Sequence, residues 1–314
     1  MLLRLISVFV LFAASPAFAW VDEGHMAVAA IAWRHLDPGA KQRVATLLPL
    51  NPSYAAWTRD VPEADRTETA FIRAATWPDE IKKDATYQDD GPLNGFEAPR
   101  SGPGAAASLR NIGYADHLRH KYWHFLDVPF SRDRTKLVPT RPPNAQTQIA
   151  TFRAALKSPK VSDDIKSYDL AWLEHLVGDI HQPMHAITRF TRDLPDGDAG
   201  GGLVSLCATP NCHENLHLFW DMLIGTGDTV AAAQADATAI SQGRFAPAPS
   251  PDEKTWIAES TAIAEVQVYA PPIGPGKGPY VIDDAYRANA RVVAYDRVWL
   301  AGNRLAELIN DALK

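Results

Sequence analysis

Apolar residues along most of this chain recur at intervals of three and four, the period of helices with one buried face, and the alternation of a half-buried strand is nearly absent. Residues 24–35 follow that spacing. Asp37-Pro38 reads as an N-cap with proline at the first helical position, so a second helix is expected over 39–48. A third amphipathic run covers 67–83 and is interrupted at Trp77-Pro78-Asp79. Residues 89–113 are rich in Gly, Pro, Ala and Ser and read as a long flexible insertion. Residues 122–130 are short, aromatic and extended or turn-like. Helices are expected over 144–156 and from 163 to about 187, followed by a Gly/Asp loop at 196–202. Further helices are expected over 215–224, 229–242, 252–269 and 283–313, with a Pro/Ala linker at 245–251 and a loop at 271–279. With no internal repeat, the pattern predicts an all-α, single-domain, multi-helix protein.

The first nineteen residues depart from this pattern. Arg4 gives a short basic start, residues 5–14 are apolar, and Ala17-Phe18-Ala19 is a small-x-small cleavage site, so 1–19 is expected to be a secretory signal peptide. That run is too short to span a bilayer, and nothing later is long and apolar enough. The mature chain, 20–314, would then begin at Trp20 and be secreted or periplasmic. The formal charge of −6 argues against a general basic clamp for nucleic acid. It leaves room for an enzyme whose bound cations supply local positive charge. Cys207 and Cys212, the two cysteines of the chain, share one loop and are expected to form a small disulfide in an exported protein.

Candidate chemistry concentrates in 175–185, where His175, Asp179, His181 and His185 fall within eleven residues of an apolar helical run. His175 and Asp179 share a helical face, and His181 and His185 form a second pair at the same spacing. Pro183 crowds the carbonyl of Asp179, so the helix is expected to bend or loosen there. A buried helix with satisfied core histidines is the plain alternative, but imidazole and carboxylate at these spacings are what a zinc site requires.

Four further clusters carry ligand types. After signal removal, the free α-amino group of Trp20 and its own carbonyl can chelate a metal, with His25 five residues on. Asp79 follows Trp77-Pro78 and could equally cap a helix; Lys82 lies three residues later. His124 sits between aromatics in Trp123-His124-Phe125-Leu126-Asp127 and could equally be a core histidine. His217 and Asp221 again stand four apart. Together, His25, His124, His175, His185, His217, Asp79, Asp179, Asp221 and the chain terminus are too many ligands for one ion. If one carboxylate bridges, three zinc ions follow, and nitrogen and oxygen ligands without thiolate suit catalytic zinc.

The order Trp-x4-His, Trp-x-Asp, His-Phe-Leu-Asp, His-x3-Asp-x5-His and Asn-Leu-His-x3-Asp, from Trp20 to Asp221, resembles the zinc-dependent single-strand nucleases of the S1/P1 type, within a superfamily shared with the bacterial zinc phospholipases C. Residues 301–306, Ala-Gly-Asn-Arg-Leu-Ala, extend the likeness to the last predicted helix. The resemblance implies an all-α phospholipase C/nuclease-like fold with a trinuclear zinc cleft. Asp79, His124, His175 and Asp179 would hold one zinc. Trp20, His25 and the bridging Asp179 would hold its close neighbour, and His185, His217 and Asp221 a third. His181 matches no family ligand and is expected to be structural. Asp79, Asp179 and Lys82 would be catalytic, Lys82 by steadying the transition state on phosphate. Phe125 would stack on a base whose edge Asp127 hydrogen-bonds, and stacking needs an unstacked base, hence a single strand.

The implied activity is endonucleolytic hydrolysis of single-stranded DNA and RNA to 5′-phosphorylated products, with 3′-nucleotidase activity on nucleotides, by a monomer needing no membrane or obligatory protein partner. A zinc phospholipase C and a non-catalytic zinc-binding protein are the competing readings. The chain departs from the family in two places. Its Gly201-Gly202 is followed by Leu203 rather than asparagine, and the segment between Asp79 and His124 is longer than in the fungal enzymes.

Overall fold

The spacing of residues 24–35 is realised as α1 (Asp22–His35), whose residues from Glu23 to Ala32 are all buried. The structure is a computed structural model and describes residues 20–91, 110–206, 214–244 and 252–314. The expected signal peptide, the Cys207–Cys212 pairing, the 245–251 linker and most of the expected insertion lie outside the described residues.

Eleven α-helices are formed among the described residues: α1, α2 (Pro38–Leu47), α3 (Tyr54–Trp57), α4 (Arg66–Ala74), α5 (Trp77–Glu80), α6 (Ala145–Lys157), α7 (Asp163–His181), α8 (Leu216–Asp221), α9 (Val230–Ser241), α10 (Glu253–Ile263) and α11 (Asp284–Ala312). The starts follow capping chemistry. Asn144 Oδ1 accepts from Thr147 N at 3.1 Å while Thr147 Oγ1 accepts from Asn144 N at 2.9 Å, a reciprocal capping box. Asn215, Thr229 and Asp283 cap α8, α9 and α11 by the side-chain bond alone. Asp37 stands before α2 as expected, but its side chain makes no capping bond. Its backbone N–H instead donates to Asn310 Oδ1 on α11 at 2.8 Å.

Helix α7 is the axis of the molecule. Every residue from Lys166 to His181 is buried, and the helix packs against α1, α5, α6, α10 and α11. A helix buried on all sides belongs in a core, and the polar groups this one carries there, among them Asp169, Glu174, His175, Asp179 and His181, need partners. Leu173, Leu176, Val177 and Ile180 are fully buried, each contributing about 1.5–3 kcal/mol by leaving water. Helix α1 closes the other side against α9 and α11. Among the described residues no helix is long and apolar enough to cross a membrane.

Two expectations need correction. The helix expected to run from 163 to about 187 stops at His181, and Gln182 is already extended. Pro183 opens a single 3-10 turn, Pro183–His185, so His181 and His185 do not share a helical face. The physical reason is that Pro183 brings no N–H to the helix and biases the residue before it towards extended backbone. The chain then forms β2 (Ile187–Arg189), which pairs in parallel with β1 (Val128–Phe130), in register Val128 to Ile187. This short ladder was hidden in an otherwise helical pattern.

The described ends of the expected insertion are held by His120. Its Nδ1 lies 2.7 Å from Asp90 Oδ2, its Nε2 lies 2.9 Å from Asp116 Oδ2, and its ring stacks on Trp123 at 3.6 Å. Burial would lower this imidazole, but Asp116 and Asp90 outweigh burial and raise it above its ordinary value.

Candidate metal centre

The ladder and the buried helices bring the scattered motifs to one place. Three groups of ligand atoms each lie within 4.8 Å of one another: His25, Asp79 and His175; His124, His175 and Asp179; and His185, His217 and Asp221. The first two share His175. The pattern of shared ligands expected from the sequence gave Asp179 that role, and its carboxylate does face both sets. Its Oδ1 lies 3.3 Å from His25 Nε2, and its Oδ2 lies 3.2 Å from His124 Nδ1 and 3.4 Å from His175 Nε2. His175 and Asp179 reach these positions from one face of α7, as the four-residue spacing requires.

Two glycines make the packing possible. A Cβ on Gly178 would meet His25 Nδ1 at 2.9 Å, so its absence lets the His25 ring lie against α7 one residue before Asp179. Trp20 is buried beside it, and its indole N–H donates to Gly178 O at 3.2 Å. The next residue, Val21, donates its N–H to Asp221 O at 3.2 Å. Trp20 and Val21 are thus tied to both ends of the centre. Gly200 has a φ of +57°, and a Cβ there would meet Met184 O at 2.6 Å. Its carbonyl accepts the Nδ1 proton of His217 at 2.7 Å.

Backbone carbonyls fix the tautomers of three histidines. His175 Nδ1 donates to Ala75 O, His185 Nδ1 to His124 O, and His217 Nδ1 to Gly200 O, each at 2.7 Å. Their Nε2 lone pairs therefore face inward. His185 Nε2 and His217 Nε2 approach to 3.0 Å, so two neutral rings present lone pairs to one another, an arrangement that a shared cation resolves. Asp221 completes this group, with Oδ1 at 3.9 Å from His185 Nε2 and Oδ2 at 3.6 Å from His217 Nε2. Ligand atoms of a tetrahedral zinc lie roughly 3.3–3.6 Å apart, given bond lengths of about 2.0–2.2 Å. The observed separations bracket that range.

The electrostatics point the same way. Burial holds His25 and His124 well below the ordinary imidazole value and lowers His175 to about 4, so all three offer lone pairs near neutrality. Burial pushes Asp179 and Asp221 well above the carboxylate range, with Asp79 adding to both. Asp79 is the exception: burial would raise it, but Lys82 and then His175 outweigh burial and hold it low. Both oxygens of Asp179 and Oδ2 of Asp221 are buried and make no hydrogen bond. Buried carboxylates in that condition are expected to coordinate metal. The residues present therefore fit metal ions.

Lys82 is not a surface lysine. Its Nζ lies 2.6 Å from Asp79 Oδ1, and its side chain is 5 % exposed. Phe125 and Asp127 line a cleft of about 520 Å3 together with Thr188, Arg141 and Leu203. The Phe125 ring lies 6.2 Å from that of His185, so the cleft abuts the ligand cluster. Asp127 has a left-handed φ of +55°. Burial, and then Asp198, push its carboxyl up to about 8. Near neutrality it can therefore donate as well as accept. Leu203 is 45 % exposed on the same cleft.

His181 stays out of the ligand groups. Its Nδ1 donates to Val177 O at 2.7 Å, and its Nε2 accepts from Arg304 Nη1 at 2.9 Å. Arg304 in turn forms a two-pronged pair with Glu259 at 2.7 and 2.8 Å. Two supporting residues, Gln182 and Asp198, were not singled out from the sequence. Gln182 Nε2 donates to Asp221 Oδ1 at 2.6 Å; its position between a cluster histidine and Pro183 was the available signal. Asp198 Oδ1 accepts from Arg189 N at 2.9 Å and Gly201 N at 3.2 Å, fixing the loop whose Gly200 carbonyl orients His217.

A family model described as S1/P1 nuclease matches residues 20–314. Endonuclease 2 of Arabidopsis thaliana is 25 % identical over 234 residues, 74 % of this chain and 64 % of its own length. Endonuclease 1 of the same plant is 24 % identical over 231 residues, 70 % of this chain and 58 % of its own length. The matched part of the chain thus spans less than two thirds of either relative.

Proposed function

From a chain that belongs to the S1/P1 nuclease family, we propose an exported, zinc-dependent endonuclease that hydrolyses phosphodiester bonds of single-stranded DNA and RNA to 5′-phosphorylated products and removes phosphate from 3′-nucleotides. The observation that carries this reading is Asp179, one oxygen turned to His25 and the other to His124 and His175, with Phe125 and its cleft one residue from His124.

Asp79, His124, His175 and Asp179 would hold one zinc; Trp20, His25 and Asp179 a second; and His185, His217 and Asp221 a third. When bound, zinc lowers the pKa of water to about 7 and acts as a Lewis acid on phosphate oxygens. The chain's own residues prepare the substrate. Phe125 offers an aromatic face on which an unpaired base stacks, worth about 1–3 kcal/mol and indifferent to sequence. A base held inside a duplex has no face to give, which is the physical source of single-strand preference. Asp127 hydrogen-bonds the edge of the stacked base, and the +55° φ that aims it is fixed by the adjoining ladder. Lys82, beside Asp79, keeps an ammonium among the ligands, where it can steady the extra negative charge of the phosphate as it is attacked. Trp20 enters the second set through an α-amino group that exists only after cleavage behind Ala19.

The test is hydrolysis by the purified mature protein. Heat-denatured DNA and RNA should be degraded, the activity should vanish with a chelator, and zinc should restore it. Hydrolysis of phosphatidylcholine with nucleic acid left intact would overturn the reading. Three bound zinc ions with neither activity would point to a binding protein instead. Adding one residue before Trp20 should lower both zinc content and activity, and full activity in that variant would remove Trp20 from the ligand set.

A further inference from the structure

We propose that Arg141 is a specificity-determining residue: its guanidinium binds a phosphate neighbouring the scissile one, so that the site favours an oligonucleotide over a mononucleotide. The inference rests on the nuclease reading above and adds a phosphate-binding role to a residue outside the ligand cluster.

Arg141 is the one cationic side chain among the residues lining the cleft that contains Phe125, Asp127 and Leu203. The chain as a whole carries a charge of −6, and Asp196 also lines this cleft, so a polyanion needs a local cation to enter it. The loop that ends at Leu203 cannot supply one, because that exposed side chain is apolar. Arg132, just after β1, and Arg189, the last residue of β2, are already engaged. Arg132 Nη1 donates to Tyr269 O at 3.0 Å, Arg189 Nη1 donates to Gly274 O at 2.8 Å, and Arg189 Nε faces Asp198 at 3.4 Å. The Arg141 guanidinium is exposed and has no hydrogen-bond or ion-pair partner among the described residues.

Its backbone, by contrast, is fixed. Asn144, already the cap of α6, donates Nδ2–H to Arg141 O at 3.3 Å, and the first residue of α6, Ala145, donates N–H to Phe125 O at 3.2 Å. The wall that carries Arg141 is thus bonded to the backbone of the stacking residue. A long side chain on an anchored stem, with its planar fork uncommitted, suits a phosphate oxygen pair. Contacts of this kind set register along a nucleic-acid strand rather than read its sequence.

The experiment compares the zinc-loaded mature protein with Arg141→Ala, Arg141→Lys and, as a control, Arg59→Ala, an exposed arginine that does not line the cleft. Substrates are a labelled oligothymidylate and thymidine 3′-phosphate, the latter having no second phosphate. In Arg141→Ala, KM for the oligonucleotide should rise roughly three- to tenfold, as for loss of one partly exposed charged contact. The rise should be absent for the mononucleotide. The slope of log kcat/KM against log salt should flatten by about 0.7, the value for one phosphate on a single strand. Arg141→Lys should keep the slope, and Arg59→Ala should change nothing. An unchanged oligonucleotide KM and slope in Arg141→Ala, or an equal rise for both substrates, would overturn the proposal. Failure of the nuclease reading would look different, since the wild-type protein would cleave neither substrate. Anisotropy of the same oligothymidylate, measured against salt, would then still read whether Arg141 supplies the contact.

Discussion

His175 and Asp179 stand on one face of a nineteen-residue helix buried from Lys166 to His181, whereas His185 lies in a single 3-10 turn and His217 and Asp221 on a helix of six residues. The first group is held mainly by packing, with a single backbone carbonyl, Ala75 O, fixing His175. Its histidines lie against α7 and against each other, with the His25 and His175 rings stacked at 3.8 Å. The second is held by polar bonds from loops. Gln182 fixes Asp221, the Gly200 carbonyl fixes His217, and the His124 carbonyl and Leu126 N–H fix both ends of His185. A packed site fails only when a ligand or its helix is lost. A site held by single hydrogen bonds should respond to the loss of any of them, because each outer partner aims one ligand.

The sharpest break of this contrast is Asp179→Asn. Loss of a carboxylate that faces two sets should drop zinc content by two ions, counted by native mass spectrometry. Activity on denatured DNA should fall more than about a hundredfold, beyond the usual 10–100-fold cost of an outer partner. Retention of all three ions would show that Asp179 does not bridge. Next in size is Gln182→Ala, which touches no metal in the assignment above. Zinc affinity of the His185 group should weaken by about 10–100-fold in a competition titration, with the other two ions held as before. Equal loss from all sites would erase the distinction between packed and hydrogen-bonded groups.

Arg304→Met examines the far side of α7, where His181 is bonded to Arg304. Urea unfolding should show a loss of about 1–3 kcal/mol for the severed polar contacts, with zinc stoichiometry unchanged. A missing zinc ion would mean that this clamp helps set the ligands. The smallest effect concerns His120, far from both groups in function. Its imidazole is raised in the folded state by Asp116 and Asp90 against burial, so the stability it gives is fully present below the ordinary histidine value of about 6.5 and is lost as pH rises through its higher folded value. Asp90 is held low chiefly by His120 against its own burial, so its share is lost at the other end, as pH falls below about 4. His120→Gln should therefore cost about 1 kcal/mol near pH 5–6 and less towards alkaline pH, read from unfolding curves at each pH. A cost that grows with pH would reverse the assignment.

Most of the helical fold was legible in the sequence because caps and apolar spacing act locally. Asn144, Asn215, Thr229 and Asp283 each precede a helix they cap. The ligand types were legible for the same reason: His175 with Asp179, and His217 with Asp221, carry the spacing of a helical face. His181 and His185 carry that spacing too, and there it misled, because Pro183 ends the regular helix between them. What spacing could not reveal was non-local. The parallel ladder joins segments about sixty residues apart, Gln182 is aimed by the break after α7, and Asp127 acquires its raised carboxyl from burial and from Asp198. Such features depend on which segments meet, and no window of one chain records that.

One feature of the ladder has a bearing on how this scaffold can diversify. His124, Phe125 and Asp127 occupy one strand approach, and Leu126 and Val128 are bonded to the carbonyls of His185 and Ala186 at 2.9 Å each. His124 and Phe125 are therefore neighbours on one rigid rail, so under the proposed reading the distance from stacked base to hydrolysed bond would work as a fixed ruler. Substitution cannot slide one mark along it without dragging the other. Leu203 and Arg141 line the cleft beside that rail, so under the same reading preference could vary in the cleft walls while the cutting position stays constant.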